Sequence, residues 1–367
     1  MHKSLSNIIK IGLPLILGGA ILYWMYRGFD FRSIRDVLFH QMDWTWMLLS
    51  FPFGIMAQVF RGWRWKQTLE PVGEHPRTST AVYSIFISYA ISFVIPRIGE
   101  VGRCGILKRY DRVSFSKALG TVVTERIVDM LLMLLITVTS ILLQIHVFGS
   151  FFSKTGTRFN DILAGFTTAG WIVTVICAIA VLILGYFILR QFTIYNKVKE
   201  VLRGIWQGIF SLKKVKNIPL FIFYSVAIWA SYFLHYYLTF FCFDFTADLG
   251  LSCALVTFVV GSIAVIVPTP NGAGPWHFAV KTMLILYGVA DTQALYFVLI
   301  VHTVQSLLVI LMGIYASAAL ALMKRREEQT RERGNEGARE RGSENSFVYE
   351  KIKENYERFF LQKIGCI

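Results

Sequence analysis

Two Pro-Gly breaks inside hydrophobic stretches constrain this chain more than any other feature. The first reads Pro96-Arg97-Ile98-Gly99-Glu100-Val101-Gly102-Arg103, and Glu125-Arg126-Ile127-Val128-Asp129 follows it. The second reads Pro268-Thr269-Pro270-Asn271-Gly272-Ala273-Gly274-Pro275-Trp276-His277, and His302-Thr303-Val304-Gln305 follows that. Glu100 to Arg126 spans 26 positions, and His277 to His302 spans 25. Hydrocarbon offers no water to freed backbone groups and penalises charge, so such segments persist mainly where they line a protein-enclosed cavity. A repeated pair of them, in two parts of one chain, is the pattern from which a binding site near mid-membrane is read.

Composition agrees with a membrane setting. The 367 residues are 55% hydrophobic, with a mean hydropathy of +0.53, which excludes an ordinary soluble domain. Met130 to Leu143 is almost continuously apolar, whereas a barrel strand would alternate, so the class is all-α and polytopic. The formal charge of +14 lies largely in short loops between apolar runs. It reads as orientation signal and anionic-headgroup contact rather than as a nucleic-acid surface. Five cysteines form no CxxC pair and no metal spacing, and no metal or cofactor is expected. The first apolar run lacks a small-residue cleavage site and reads as a retained span.

Charge placement chooses between six and eight spans. If every run except 276–290 crosses the membrane, the basic segments 97–118 and 190–217 fall opposite the basic start of the tail, Lys324-Arg325-Arg326. That arrangement conflicts with the positive-inside rule. If 80–118 and 251–290 are instead re-entrant hairpins, six spans remain, near 9–26, 45–61, 119–145, 165–189, 218–243 and 293–322. Both termini and the basic segments are then cytoplasmic. The hairpins enter from opposite faces, and units 80–145 and 251–322 form an inverted repeat within a membrane domain of residues 1–323. The plain alternative is that two similar breaks coincide by chance. The charged tail, 324–367, reads as a solvated cytoplasmic linker, followed by either a short amphipathic helix or a frayed end.

Several side chains in these units could carry chemistry. Glu125, Arg126 and Asp129 open a long apolar run, with Arg126 and Asp129 at i,i+3. They suit either a boundary salt bridge or a polar cluster facing the first break. Arg97 and Arg103 flank Gly99, Glu100 and Gly102, where close backbone approach and guanidinium forks would suit a phosphate. Ordinary loop basicity, with Glu100 as counter-ion, fits the same residues. Asn271, Gly272, Gly274 and His277 form the second break, and His302 lies one run later. Either histidine could carry a proton or touch a headgroup, or simply pack, and Lys281 adds positive charge nearby. No Walker spacing, HExxH or GxSxG occurs, so enzymatic activity is not expected.

On these residues the chain resembles the lysylphosphatidylglycerol synthase transmembrane-region family, also called flippase-like. Gly99-Glu100-Val101-Gly102-Arg103 matches a Gly-Glu-x-x-Arg element, and Glu125-Arg126-Ile127-Val128-Asp129 matches Glu-Arg-x-x-Asp. Pro270-Asn271-Gly272-Ala273-Gly274 matches Pro-x-Gly-x-Gly, but His277 and His302 stand where the family carries a Glu and an Arg. The resemblance, over residues 5–322, implies movement of lipids or lipid-linked cargo between leaflets of the cytoplasmic membrane. Its expected partner is an anionic phospholipid or a polyprenyl-phosphate-linked lipid, and a homo-oligomer is conceivable. The chain ends about 45 residues after its last run, which leaves the aminoacyl-transfer activity of bifunctional members unexpected. Two other readings stay open. One is a non-catalytic scaffold that recruits an envelope-synthesis enzyme; the other is an intramembrane transferase with Glu100 or Asp129 as base.

Overall fold

The computed structural model describes residues 16, 18–27, 32–94, 98–143, 215–267 and 269–364. Among these every regular element is helical. The chain divides into two units, Met1–Ala316 and Ser317–Ile367.

In the first unit, Asp43 caps the first long helix, α1 (Trp44–Leu69), by accepting from the Thr45 amide at 2.8 Å. Glu70, Pro71 and a left-handed Gly73 end it. A clasp follows: Lys117 hydrogen-bonds Glu74 at 2.9 Å and holds its carboxyl below the usual range. Its stabilisation is therefore fully present above the ordinary carboxylate value and fades as pH falls through the lowered one.

Helices α2 (Thr78–Val94) and α3 (Ile98–Asp111) pack on each other as a hairpin, and the long α4 (Phe115–Leu143) follows. From residue 215 onward come α5 (Ile218–Tyr237), α6 (Gly250–Ala264) and α7 (Pro275–Leu286). Helices α6 and α7 again pack as a hairpin, and α8 (Asp291–Ile364) follows. The order short helix, break, short helix, long apolar helix thus occurs twice. Among the described residues, three segments are long and apolar enough to cross a membrane: Phe115–Leu143, Ile218–Cys242 and Asp291–Thr330. The expected span at 165–189 and Arg97 lie outside the described residues.

Small residues hold the hairpins shut. A Cβ on Gly99 would overlap the Ser88 carbonyl of α2, whereas one on Gly102 would meet only Ile91 Cδ1 at 3.4 Å. Gly261 likewise faces the Trp276 ring, where a Cβ would come within 2.9 Å of Nε1. Gly99→Ala should therefore destabilise by about 1–3 kcal/mol through overpacking, although Ala is the better helix former. Thermal unfolding of the purified protein, with Gly102→Ala as the tolerated control, measures this.

Two expectations are corrected here. Gly99, Glu100, Gly102 and Arg103 lie on a helix rather than in an open loop, and Gly99 serves close helix contact. The charged stretch after Lys324 is helical through Ile364 rather than a linker. It is rich in good helix formers, and Lys324 and Glu328 pair at i,i+4, which offsets the cost of its glycines.

Candidate functional site

The breaks of the two hairpins converge. A cavity of about 230 Å³ is lined by Ser88, Tyr89 and Ser92 of α2 and by Glu100 and Arg103 of α3. Arg61 of α1, Arg126 of α4 and the second break's Thr269, Asn271 and Gly272 complete the polar lining. These charged side chains belong to an ion-pair network drawn from α1, α3 and α4 and buried except at Glu100 and Arg126.

Asp129 is its hub. One carboxylate oxygen accepts from Arg61 Nη1 at 2.7 Å and the other from Arg64 Nη2 at 2.6 Å. Arg126, one turn earlier, adds an ion pair at 3.5 Å. Glu125, wholly buried, lies 2.8 Å from Arg103 Nη2 and 3.6 Å from Arg64 Nε. Arg64 also reaches Ser225 Oγ of α5 at 3.3 Å. Charges this deep persist only when paired, because an unpaired ion in low dielectric is costly.

Aromatic rings supply the remaining contacts. The Arg103 guanidinium sits 4.3 Å from the centroid of Trp65, whose Nε1–H donates to Thr121 Oγ1 at 2.9 Å. Arg61 lies beside Tyr89 and Tyr232, at 5.9 and 5.8 Å, and the two hydroxyls bond each other at 3.1 Å. Ring faces stabilise a cation without satisfying its N–H groups. Among the described residues, Arg103 Nε and Nη1 and Arg61 Nε accordingly have no hydrogen-bond partner, and all three atoms are buried.

The second break is shaped by left-handed backbone at Asn271 (φ 48°), Gly272 (φ 73°) and Gly274 (φ 92°). His302 Nε2 donates to the Asn271 carbonyl at 3.1 Å, and Asn271 Nδ2 donates to Ser306 Oγ at 2.9 Å. His277 Nδ1 accepts from the Gly274 amide at 3.3 Å, capping its own helix. The two rings meet with centroids 4.4 Å apart.

The structure thus separates the residues singled out in the sequence. Glu100, Arg103, Arg126, Asn271 and Gly272 line the cavity, and Glu125 and Asp129 stand behind it. Gly99, Gly274, His277 and His302 are outside the lining and brace the hairpins. Lys281, expected to add charge near His277, is committed to Asp291 at 2.8 Å. His235 is structural: its ring bonds the Ser50 carbonyl at 2.8 Å and fills the notch left by Gly54.

Arg61 and Arg64 were missed. Their i,i+3 spacing within the apolar approach of α1 was the available signal, but position 61 reads equally as the start of a basic loop.

Residues 11–313 match the model of one protein family, described as lysylphosphatidylglycerol synthase TM region. No curated protein and no solved structure matches the chain.

Proposed function

The chain belongs to the lysylphosphatidylglycerol synthase TM-region family, a family of membrane proteins tied to lipid metabolism, and from that premise we propose that it is a lipid translocase. Its cargo is an anionic phospholipid or a polyprenyl-phosphate-linked lipid of the cytoplasmic membrane, with the headgroup held in the cavity between the hairpins. One observation carries this reading: the side chains of three arginines and one glutamate line the same cavity. Arg forks match phosphate oxygens in plane, and enclosure strengthens every such bond. Ser88, Ser92 and Asn271 add neutral groups for the rest of a headgroup.

In this reading the two hairpins are re-entrant, enter from opposite faces, and form the inverted repeat that alternating access needs. Both termini are cytoplasmic. The repeated order of helices and the convergence of both breaks on one cavity support it. For the transferase alternative, Asp129 finds less support as the base, because both its oxygens already accept guanidinium donors, whereas Glu100 lines the cavity paired with Arg126.

The test is translocation of a headgroup-labelled anionic phospholipid in vesicles containing the full chain. Arg103→Ala with Arg126→Ala should lower the rate on the order of tenfold or more, since a hydrogen bond to a charged group contributes about 1.5–3 kcal/mol. A rate equal to wild type overturns the site. Loss of partner capture on deleting 324–367, with no translocation by the intact chain, would favour a scaffold.

A further inference from the structure

Glu100 differs from the other two carboxylates of the network. Asp129 and Glu125 are buried, and each faces two guanidiniums of the inner frame. Glu100 is the one carboxylate in the cavity lining, and among the described residues its ion pair is with Arg126, whose Nε lies 3.1 Å from Oε1. Both side chains are partly open, 36% for Glu100 and 42% for Arg126. The outermost pair is therefore also the least enclosed.

A carboxylate and a phosphate make the same demand on a guanidinium, two acceptor oxygens in its plane. An anion reaching Arg126 must either take Glu100's place or sit beside it as a like charge. Coexistence sets two like charges side by side and is unfavourable. Exchange is not, because Arg126 keeps an acceptor and the displaced carboxylate can turn toward solvent. The inner frame need not move, since Arg61, Arg64 and Arg103 hold their partners without Glu100.

We propose that Glu100 is an internal counter-anion, which occupies Arg126 until a phosphate replaces it. The proposal rests on the cavity being the headgroup site. It adds a basis for specificity: with Glu100 turned away, Arg61, Arg103 and Arg126 face the cavity and no carboxylate does. Such a surface favours an anionic phosphate headgroup and disfavours one carrying net positive charge.

Titration calorimetry of the full-length protein in neutral detergent tests this, with dihexanoyl phosphatidate and inorganic phosphate as probes. Glu100→Gln should bind phosphatidate about tenfold tighter or more, because the competing charge is gone while the side-chain shape remains. Arg126→Ala should bind it more weakly. In the Arg126→Ala background, Glu100→Gln should gain little, because nothing is left to exchange on. A gain for phosphatidate well above that for inorganic phosphate assigns the subsite to a lipid; equal gains support exchange with free phosphate as the ligand.

Unchanged or weaker binding in Glu100→Gln, with Arg126→Ala still impaired, overturns the exchange and leaves the headgroup site standing. The same gain with and without Arg126 also overturns it, since Glu100 would then act only as a distant charge. Affinities unaffected by both substitutions overturn the headgroup site itself. Melting curves of each variant separate these outcomes from misfolding.

Discussion

Replacing Asp129 by Ala should cost about 3–5 kcal/mol of stability, the penalty for stripping the partner from a buried ion pair. The loss falls on two arginines at once, because Arg61 and Arg64 each direct a terminal nitrogen at a different Asp129 oxygen. Arg64 keeps a more distant contact with Glu125 at 3.6 Å. Arg61 has Tyr89 and Tyr232 beside it, whose rings do not replace a carboxylate. The expected result in detergent extracts is a large fall in melting temperature or a shift into aggregates on size exclusion. A double-mutant cycle sharpens it. Arg61→Ala with Asp129→Ala should be less destabilised than the sum of the single changes, because the second change removes a charge that the first left unpaired. Simple additivity would show that the pair is not coupled, whatever its length.

Trp65→Ala should be comparably severe and should also reach the cavity. The ring is fully buried and packs with Leu69, Ile85, Leu107 and Val122, so truncation alone is expected to cost about 3–5 kcal/mol. It also removes the surface against which Arg103 lies at 4.3 Å, freeing that guanidinium to leave its orientation. Trp65→Phe separates the two effects. It retains an aromatic face but loses the Nε1–H bond to Thr121, a net change of about 1 kcal/mol. Lipid translocation should survive in Trp65→Phe and fail in Trp65→Ala. Equal translocation by the two variants, both still folded, would exclude Trp65 as the residue that positions Arg103.

The long elements were legible because hydrophobic length is a local property. The runs at 119–145, 218–243 and 293–322 correspond to the apolar segments Phe115–Leu143, Ile218–Cys242 and Asp291–Thr330. The short runs beside each Pro-Gly break became paired helices that pack as hairpins. Charge pairing was harder to see, because it is not local. Spacing showed Arg126 with Asp129, yet that contact, at 3.5 Å, is longer than the two from Arg61 and Arg64. Those partners lie 68 and 65 positions away in sequence, and only the packing of α1 against α4 brings them together. The histidines show the reverse case. Their matched spacing left chemistry and packing both open, and in the structure His277 and His302 bond to the left-handed turn that carries Asn271 and Gly272. The charged tail misled because alternating signs suit both a solvated chain and a helix carrying i,i+4 pairs.

The burial of Arg61, Arg64 and Arg103 has a consequence for ionic strength. Basic residues in exposed loops attract an anionic leaflet only within a Debye length, about 8 Å at physiological salt, and added electrolyte screens them away. Guanidiniums walled in by Trp65, Tyr89 and Tyr232 are shielded from mobile ions. Counting three arginines (61, 64, 103) against two carboxylates (125, 129) leaves one positive charge fixed in that enclosure. Raising salt should therefore weaken recruitment of headgroups to the protein's surface while leaving capture inside nearly untouched. Encounter and retention thus become separately adjustable, one by the medium and the other only by the sequence.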